Sequence, residues 1–273
     1  MHKRQRRSET ALALLALGAG WGTLTAGCGS TSSNSSTAHV RGVNFAASAP
    51  AAVTNNVLVN GAALGGDLTF AQVSPYNYIG SGNSTFSFTT TAILPTNVTI
   101  PPRPVLALSN GNYYTAYLIG RPDVPNVKAA TPDPRFLQTV VTGDGGAAAN
   151  YTVATYTAPP TGQINVRILN GAADAGPVDV LVNGSVAFPA VTYPILPKPG
   201  ASDVTAGAAA TPATTYQAVP GGTISVQVNT AGTSTVLVPP TSVSVSSGNV
   251  FTLVVTEPTN APTYGVSLVS DQH

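Results

Sequence analysis

Apolar and polar residues alternate in short bursts along most of this chain. Between Ile224 and Asn229 every second residue is Ile or Val, and the residues between them are Ser, Gln and Asn. The same period of two recurs at 85–89, 243–245 and 251–255. Because successive side chains of a strand point to opposite faces, this pattern predicts half-buried β-strands. After residue 28 no segment shows a helical stripe, so the chain is predicted to be all-β.

The pattern occurs twice in the same order. Residues 57–61 (VLVNG) recur unchanged at 180–184. Two further blocks correspond: 40–44 (VRGVN) with 166–170 (VRILN), and 111–115 (GNYYT) with 248–252 (GNVFT). Each copy has about seven short strands with turn residues every 8–12 positions, and Asn-Gly ends the first repeated block as a tight-turn signal. The sequence therefore predicts two tandem antiparallel β-sandwich modules of immunoglobulin-like type.

A polar segment that contains proline separates the two copies. Residues 158–163 (APPTGQ) have the composition of a linker, which predicts modules at 39–157 and 164–273. Two long segments interrupt the alternation, at 121–146 in the first copy and at 192–215 in the second. Loops of this length are usually functional or mobile, so we expect the copies to differ mainly there.

The N-terminus has the order of an export signal. A basic run at 3–7 precedes the apolar segment 11–26, and Gly27 and Cys28 follow. The sequence TAGC at this point resembles the lipobox of bacterial lipoproteins, in which the Cys thiol is joined to a diacylglycerol and the chain is cut before it. The resemblance implies cleavage between Gly27 and Cys28 and lipidation of Cys28. Since Cys28 is the only Cys in the chain, a disulfide within the chain is excluded.

Two alternatives to this anchor remain open. One is an ordinary secretory signal, and the other is a transmembrane helix, although 11–26 is shorter than the ~20 residues that a span needs. Residues 28–38 are polar and predict a flexible tether. Gly29 stands where an Asp would resemble an inner-membrane retention signal. We therefore expect a lipid-anchored cell-envelope protein, on the outer membrane and facing the periplasm or the cell surface.

Charge is scarce in this chain, since 8% of the residues are charged. Without residues 1–27 seven basic and nine acidic residues remain, a net charge near −2. No basic patch is left to follow a phosphate backbone, so no nucleic acid partner is expected. His39 and His273 stand near the two ends of the predicted mature chain, and no second Cys, His cluster or phosphate-binding loop accompanies them. Neither a catalytic triad nor a metal or other cofactor is expected.

Carboxylates are the remaining candidates for chemistry. Asp174 and Asp179 flank a turn of the second copy, and three more acids lie within 121–146: Asp123, Asp133 and Asp144. Two facing acids can hydrolyse a glycan, and several converging oxygens can bind calcium. The simpler interpretation of Asp174 is a loop residue whose carboxylate accepts hydrogen bonds from backbone N–H groups.

Two sets of strand residues are candidates for ligand contact. Arg41 and Arg167 hold the same position in each copy and are expected to point to solvent, with a ligand contact shared by both copies as the alternative. Tyr113, Tyr114 and Tyr117 lie close together, and on a strand Tyr114 takes the face opposite to the other two. One of these faces must be core. The other either packs in the core or at a sheet edge, or is an aromatic platform for sugar or peptide.

Residues 164–184 (INVRILNGAADAGPVDVLVNG) look like the opening of the bacterial family called domain of unknown function 4397. That opening is a strand, a short Asp-Ala-Pro-type loop, a Val-Asp-Val strand and a Gly turn. Residues 220–226 (PGGTISV) are similar to a later segment of the same family. The resemblance covers 164–273 and is weaker over 39–157. There Asn56 stands at the position that Asp179 has in the second copy. It implies exported, often lipid-anchored, β-rich modules without a known activity.

Together these features favour a non-enzymatic envelope protein. Its two modules would serve adhesion, ligand binding or a structural role, with an envelope protein or a glycan as the expected partner and the membrane reached through the lipid. The alternatives are an envelope polysaccharide hydrolase that uses Asp residues and a calcium-stabilised binding module.

Overall fold

The computed structural model describes residues 36–47, 54–91, 105–122, 135–144, 158–194, 213–257 and 263–271. All regular structure in these ranges is β-strand, as the alternation predicts. Within the same ranges no helix has the length and apolar character needed to cross a membrane.

The first module contains eight of the described strands. They are β1 (Thr37–Asn44), β2 (Asn55–Val59), β3 (Ala62–Ala63), β4 (Asn77–Gly80), β5 (Gly82–Thr90), β6 (Val105–Leu108), β7 (Tyr113–Ile119) and β8 (Gln138–Gly143). They form two four-stranded sheets, with the orders β4-β1-β7-β8 and β3-β2-β5-β6.

The second module repeats this topology. Its strands are β9 (Gln163–Asn170), β10 (Val178–Val182), β11 (Ser185–Val191), β12 (Gln217–Pro220), β13 (Gly222–Thr230), β14 (Val236–Val245), β15 (Val250–Thr256) and β16 (Gly265–Ser270). The sheet orders are β12-β9-β15-β16 and β11-β10-β13-β14. Each strand of the first module thus has a counterpart eight strands later.

The prediction of two β-sandwiches is confirmed, and the structure refines it in three ways. Each module has eight described strands where about seven were expected. The pairs β1–β7 and β9–β15 are parallel, while the other pairs are antiparallel. A parallel pair needs a crossover connection, and here the chain makes it by passing through the other sheet. In addition, β8 lies within 121–146, the segment that was predicted to be a loop.

Three apolar layers hold the described residues together. In each module, the side chains that point into the space between the two sheets form one core. Phe86 in the first core and Val226 in the second are both 0% exposed. A third layer combines residues of both modules, including Val43, Tyr117 and Val254. The sheets that contain β1 and β9 are therefore apolar on both faces, and the modules belong to one compact unit.

The repeated Asn-Gly turns have the predicted backbone. Asn60 and Asn183 both have φ of 50°, followed by Gly at 84° and 81°. Each Asn side chain accepts a hydrogen bond from a neighbouring strand, from Thr85 N at 2.8 Å and from Ser225 N at 2.9 Å. Positive φ costs Asn and Gly little, and the side-chain bond ties each turn to the strand beside its hairpin, β5 in the first module and β13 in the second.

Candidate functional site

Arg41 and Arg167 are buried between the modules, with 6% and 4% of their surface exposed. The expectation that they point to solvent was wrong. Both lie on strands whose second face also packs against protein, so that no face of the strand is left for solvent. Their guanidinium groups are satisfied by side chains and carbonyl oxygens of both modules.

Within each module the Arg is connected to an Asp through a threonine. Arg41 Nε donates to Thr115 Oγ1 at 2.8 Å, and that hydroxyl donates to the Asp144 carboxylate. The second module repeats the chain: Arg167 Nε donates to Thr252 Oγ1 at 2.7 Å, and Thr252 Oγ1 donates to Asp271 Oδ2 at 2.6 Å. The equivalence follows from register, since the parallel pairing places each Arg opposite its Thr.

Each Arg also forms an ion pair with the Asp of the other module. Arg41 Nη2 donates to Asp271 Oδ1 at 3.2 Å, and Arg167 Nη2 donates to Asp144 Oδ1 at 2.8 Å. Both carboxylates have 0% side-chain exposure. We call these four residues the Arg–Asp cross. Because each Arg contacts an Asp of the other module, the cross ties the two sandwiches to each other.

A tyrosine completes each half of the cross. Tyr76 donates to Asp144 Oδ2 at 3.0 Å, and Tyr216 donates to Asp271 Oδ2 at 2.8 Å. The two rings also cover the guanidinium carbons of Arg41 and Arg167, each at 4.7 Å from the ring centroid. This contact adds a cation–π attraction to the ion pairs.

Burial and charge set the protonation of the cross. Burial, together with the charge of Asp144, raises the pKa of Asp271 to about 6, although Arg167 acts in the opposite direction. Burial would lower the pKa of both Arg side chains, but the neighbouring carboxylates raise it, so both stay cationic. Burial and the carboxylates also raise the pKa of Tyr76 and Tyr216, which remain neutral donors.

A second polar cluster joins the modules closer to the surface. Asp174 of the second module pairs with Arg121 and Arg135 of the first, the latter at 2.9 Å. Glu257 lies 3.2 Å from Arg121 Nη1 and accepts a hydrogen bond from Asp174 N at 3.0 Å. Partial burial acts to raise the pKa of Asp174, but the hydrogen bond from Arg135 and the charge of Arg121 hold it below its ordinary value.

The second candidate acid, Asp179, has a local structural role. It accepts hydrogen bonds from Ala190 N and Gly232 N, both at 2.8 Å. Ala190 has φ of 49°, at a bulge in the β10–β11 pairing, so the carboxylate holds a backbone conformation that Ala rarely adopts. The sequence interpretation of a carboxylate bound to backbone N–H groups therefore describes Asp179, whereas Asp174 binds arginines. Among the described residues no group of three His, Cys, Asp or Glu is placed to hold a metal ion.

The three clustered tyrosines have different environments. Tyr114 and Tyr117 are buried, with 2% and 0% exposure, in the first-module core and in the layer between modules. Tyr113 is half-buried and stacks on His39, with ring centroids 4.2 Å apart. Of the proposed platform only Tyr113 thus reaches the surface.

Residues that sequence reasoning did not select join Tyr113 there. Tyr78 on β4 is 75% exposed and contacts His39 edge-on at 4.8 Å. Tyr76 contacts Tyr113 edge-on at 5.1 Å. We call His39, Tyr78 and Tyr113 the aromatic surface. The pairing of β1 with both β4 and β7 creates it, because His39 stands opposite Tyr78 on one side and Tyr113 on the other.

Several residues named from the sequence lie outside the described ranges. They are the cleavage and lipidation residues Gly27 and Cys28, the acids Asp123 and Asp133, and His273. The predictions for them stay predictions.

Comparison with known proteins places a family match in the second module. Residues 164–273 match the family model described as Domain of unknown function (DUF4397). Among functionally curated proteins, none matches this chain. A crystal structure of a candidate cell adhesion protein from Bacteroides fragilis is 12% identical and covers 86% of this chain and 97% of its own, with a TM-score of 0.19.

Proposed function

We propose that this chain is a non-enzymatic binding protein of the bacterial cell envelope. A lipid on Cys28 anchors it, and two modules fixed as one body present a binding surface for adhesion or ligand capture. The observation that carries the proposal is the Arg–Asp cross. Each buried Arg pairs with the Asp of the other module, and this favours one relative arrangement, because separation would remove that ion pair from both buried charges. A fixed arrangement of the modules suits a protein whose role is to present a binding surface to a partner.

The state of the carboxylates supports a binding role over hydrolysis. Asp174 is held by two arginines and Asp179 by two backbone N–H groups. Asp144 and Asp271 are buried in the cross. A glycosidase needs a pair of acids that face a sugar across an accessible cleft. These four carboxylates are used in structural contacts instead.

Two measurements test the proposal. Mature wild-type protein and the double variant D174N/D179N are incubated separately with the glycan and the protein fractions of the host envelope. We expect retention of both proteins on one fraction and no release of new reducing ends from the glycan. Release by wild type that the double variant abolishes would establish the hydrolase instead.

The anchor is tested by Cys28→Ala in the native host. We expect this variant to leave the membrane fraction, whereas Ser30→Ala, a matched change in the tether, stays there. A C28A protein that still sediments with membranes would show that the anchor lies elsewhere. A melting temperature that falls on addition of a calcium chelator would favour the calcium-stabilised module.

A further inference from the structure

We propose that the aromatic surface docks onto the lipid bilayer that carries the anchor, and so sets the orientation of the first module on the membrane. The proposal rests on the proposed function, because it requires the lipid on Cys28. Three observations favour the bilayer as the partner: where the tether joins the fold, how long the tether is, and which module carries the rings.

The tether joins the fold beside the aromatic surface. Ser81 N donates to Ser36 O at 2.8 Å, and Ser81 Oγ donates to Ser36 Oγ at 2.7 Å. The chain therefore enters the fold alongside β4, at the edge of its sheet. Tyr78 lies on that edge strand, opposite His39 of β1. Since β1 begins at Thr37, the predicted tether ends at Ser36 and not at residue 38. His39 and Tyr78 are three residues along the chain from Ser36 and Ser81, the two residues that join there.

The tether is short enough to keep this edge near the membrane. Ser36 is eight residues after Cys28. For the flexible linker that the composition predicts, a segment of that length has a root-mean-square span of about 16 Å. Any segment of that length extends to at most about 29 Å. A short flexible link gives the attached group an effective concentration in the millimolar range, so a weak contact with the headgroups is sufficient for docking.

The chemistry of the rings fits the membrane interface. Tyr has an apolar body and a polar tip, and it is enriched at the headgroup level of membranes. Tyr78 exposes 75% of its surface, far more than a core aromatic. In the second module, which the tether does not reach directly, the three equivalent positions carry Asn165, Val250 and Ala218. At these positions the rings therefore belong to the module next to the anchor.

Tyr78→Trp tests the proposal in the mature lipoprotein. Trp21 is the only Trp of the chain and lies in the predicted signal peptide, so the mature Y78W variant would contain a single indole fluorophore. The lipoprotein is reconstituted into phosphatidylcholine vesicles with and without brominated acyl chains. The matched control is Val236→Trp, at a site in the second module that is 48% exposed. Intact mass establishes processing and lipidation beforehand.

We expect brominated lipid to quench the indole fluorescence of Y78W and to leave that of V236W unchanged. Hydrogen exchange of the unsubstituted lipoprotein, which avoids any effect of the substitution on folding, should show protection of 76–80 on vesicles. Vesicle-bound, lipidated Y78W whose fluorescence is not quenched, together with no protection of 76–80, would overturn the docking alone. A shift in the emission of Y78W on addition of host oligosaccharides, without quenching by brominated lipid, would overturn it in favour of a glycan. Protein that carries no fatty acid would overturn both this proposal and the anchor.

Discussion

The two modules are alike in the Arg–Asp cross, where they touch, and unlike at the aromatic surface, where the first module meets solvent. In the contact, Arg41, Thr115, Asp144 and Tyr76 of the first module have the counterparts Arg167, Thr252, Asp271 and Tyr216. At the exposed end of the same strands, the rings of His39, Tyr78 and Tyr113 are replaced in the second module by Asn165, Ala218 and Val250. The comparison separates residues that hold the two modules together from surface residues that differ between the modules.

The same contrast holds within single strands. On β1, Arg41 and His39 point to the same side, since they are two residues apart. One is buried in the cross and the other stacks between two tyrosines at the surface. The inner position has the same residue in both modules, and the outer position does not. Four substitutions test this division, ordered here from the largest expected effect on stability to the smallest.

Arg167→Ala should break the contact between modules. It leaves the fully buried Asp144 and Asp271 with one cation fewer, and removal of one partner from a buried pair costs about 3–5 kcal/mol. We expect a loss of this size in the free energy of unfolding, measured by urea denaturation, and a similar loss for Arg41→Ala. The control is Arg135→Ala, whose side chain is 45% exposed and whose ion pair should contribute about 0–1 kcal/mol. Equal effects at 135 and 167 would contradict the structural role of the cross.

The cross should also give the protein a characteristic pH dependence. The pKa of Asp271 is raised from 3.8 to about 6 in the folded chain, so the folded state binds this proton more readily than the unfolded state. Its contribution to stability is fully present below pH 3.8 and is lost as the pH rises through 6. Over this window it amounts to roughly 3 kcal/mol at most.

The measurement is the difference in unfolding free energy between wild type and Asp271→Asn, followed from about pH 7 to about pH 4, a range that spans the folded-state pKa. Since the amide does not titrate, wild type should gain stability relative to D271N as the pH falls. A difference that stays constant with pH would show that Asp271 does not take up a proton in this range.

Asp179→Ala should have a smaller and local effect. It removes two hydrogen bonds to backbone N–H groups at the bulge, which we expect to cost about 1–2 kcal/mol. The equivalent residue of the first module is Asn56, which contacts the exposed Asp67, and Asn56→Ala should change the stability by less than about 0.5 kcal/mol. Thermal melts of both variants check the comparison, and a reversed order would show that the bulge does not depend on Asp179.

Tyr78→Ala should leave the stability nearly unchanged. The ring is 75% exposed, and surface substitutions away from special features stay within about 0.5 kcal/mol. The matched change in the buried layer is Tyr117→Ala, where loss of a fully buried ring should cost about 3–5 kcal/mol. Calorimetry of both proteins measures the difference. A large loss at Tyr78 would assign the aromatic surface to folding instead of to a partner.

Much of the fold could be predicted because it is encoded locally. The alternation at Ile224, Val226 and Val228 gave a strand with the correct buried face, with exposures of 2%, 0% and 0%. The repeated Asn-Gly pairs gave the correct turns because positive φ restricts the choice of residue. The parallel pairs were missed, since alternation predicts a strand but not the direction of its neighbour.

The contact between modules could not be predicted in the same way. Arg41 and Arg167 have apolar neighbours in sequence, and this pattern fits both a solvent-facing strand and one buried on two faces. One signal was available: Asp144 and Asp271 come directly after the last strand of each module, so two buried acids could have been matched with two repeated arginines. The aromatic surface left a weaker signal, because His39, Tyr78 and Tyr113 come from three separated strands.

The reciprocal geometry of the cross has a consequence for how such a molecule can arise. Each module offers one cation and one anion in the same relative positions, so the face is self-complementary in the manner of an isologous dimer interface. A single ancestral module with this face would be able to form the same ion pairs with a second copy of itself. Covalent joining of the two copies then makes that association independent of concentration. The surface residues of each module can afterwards change independently of the other module.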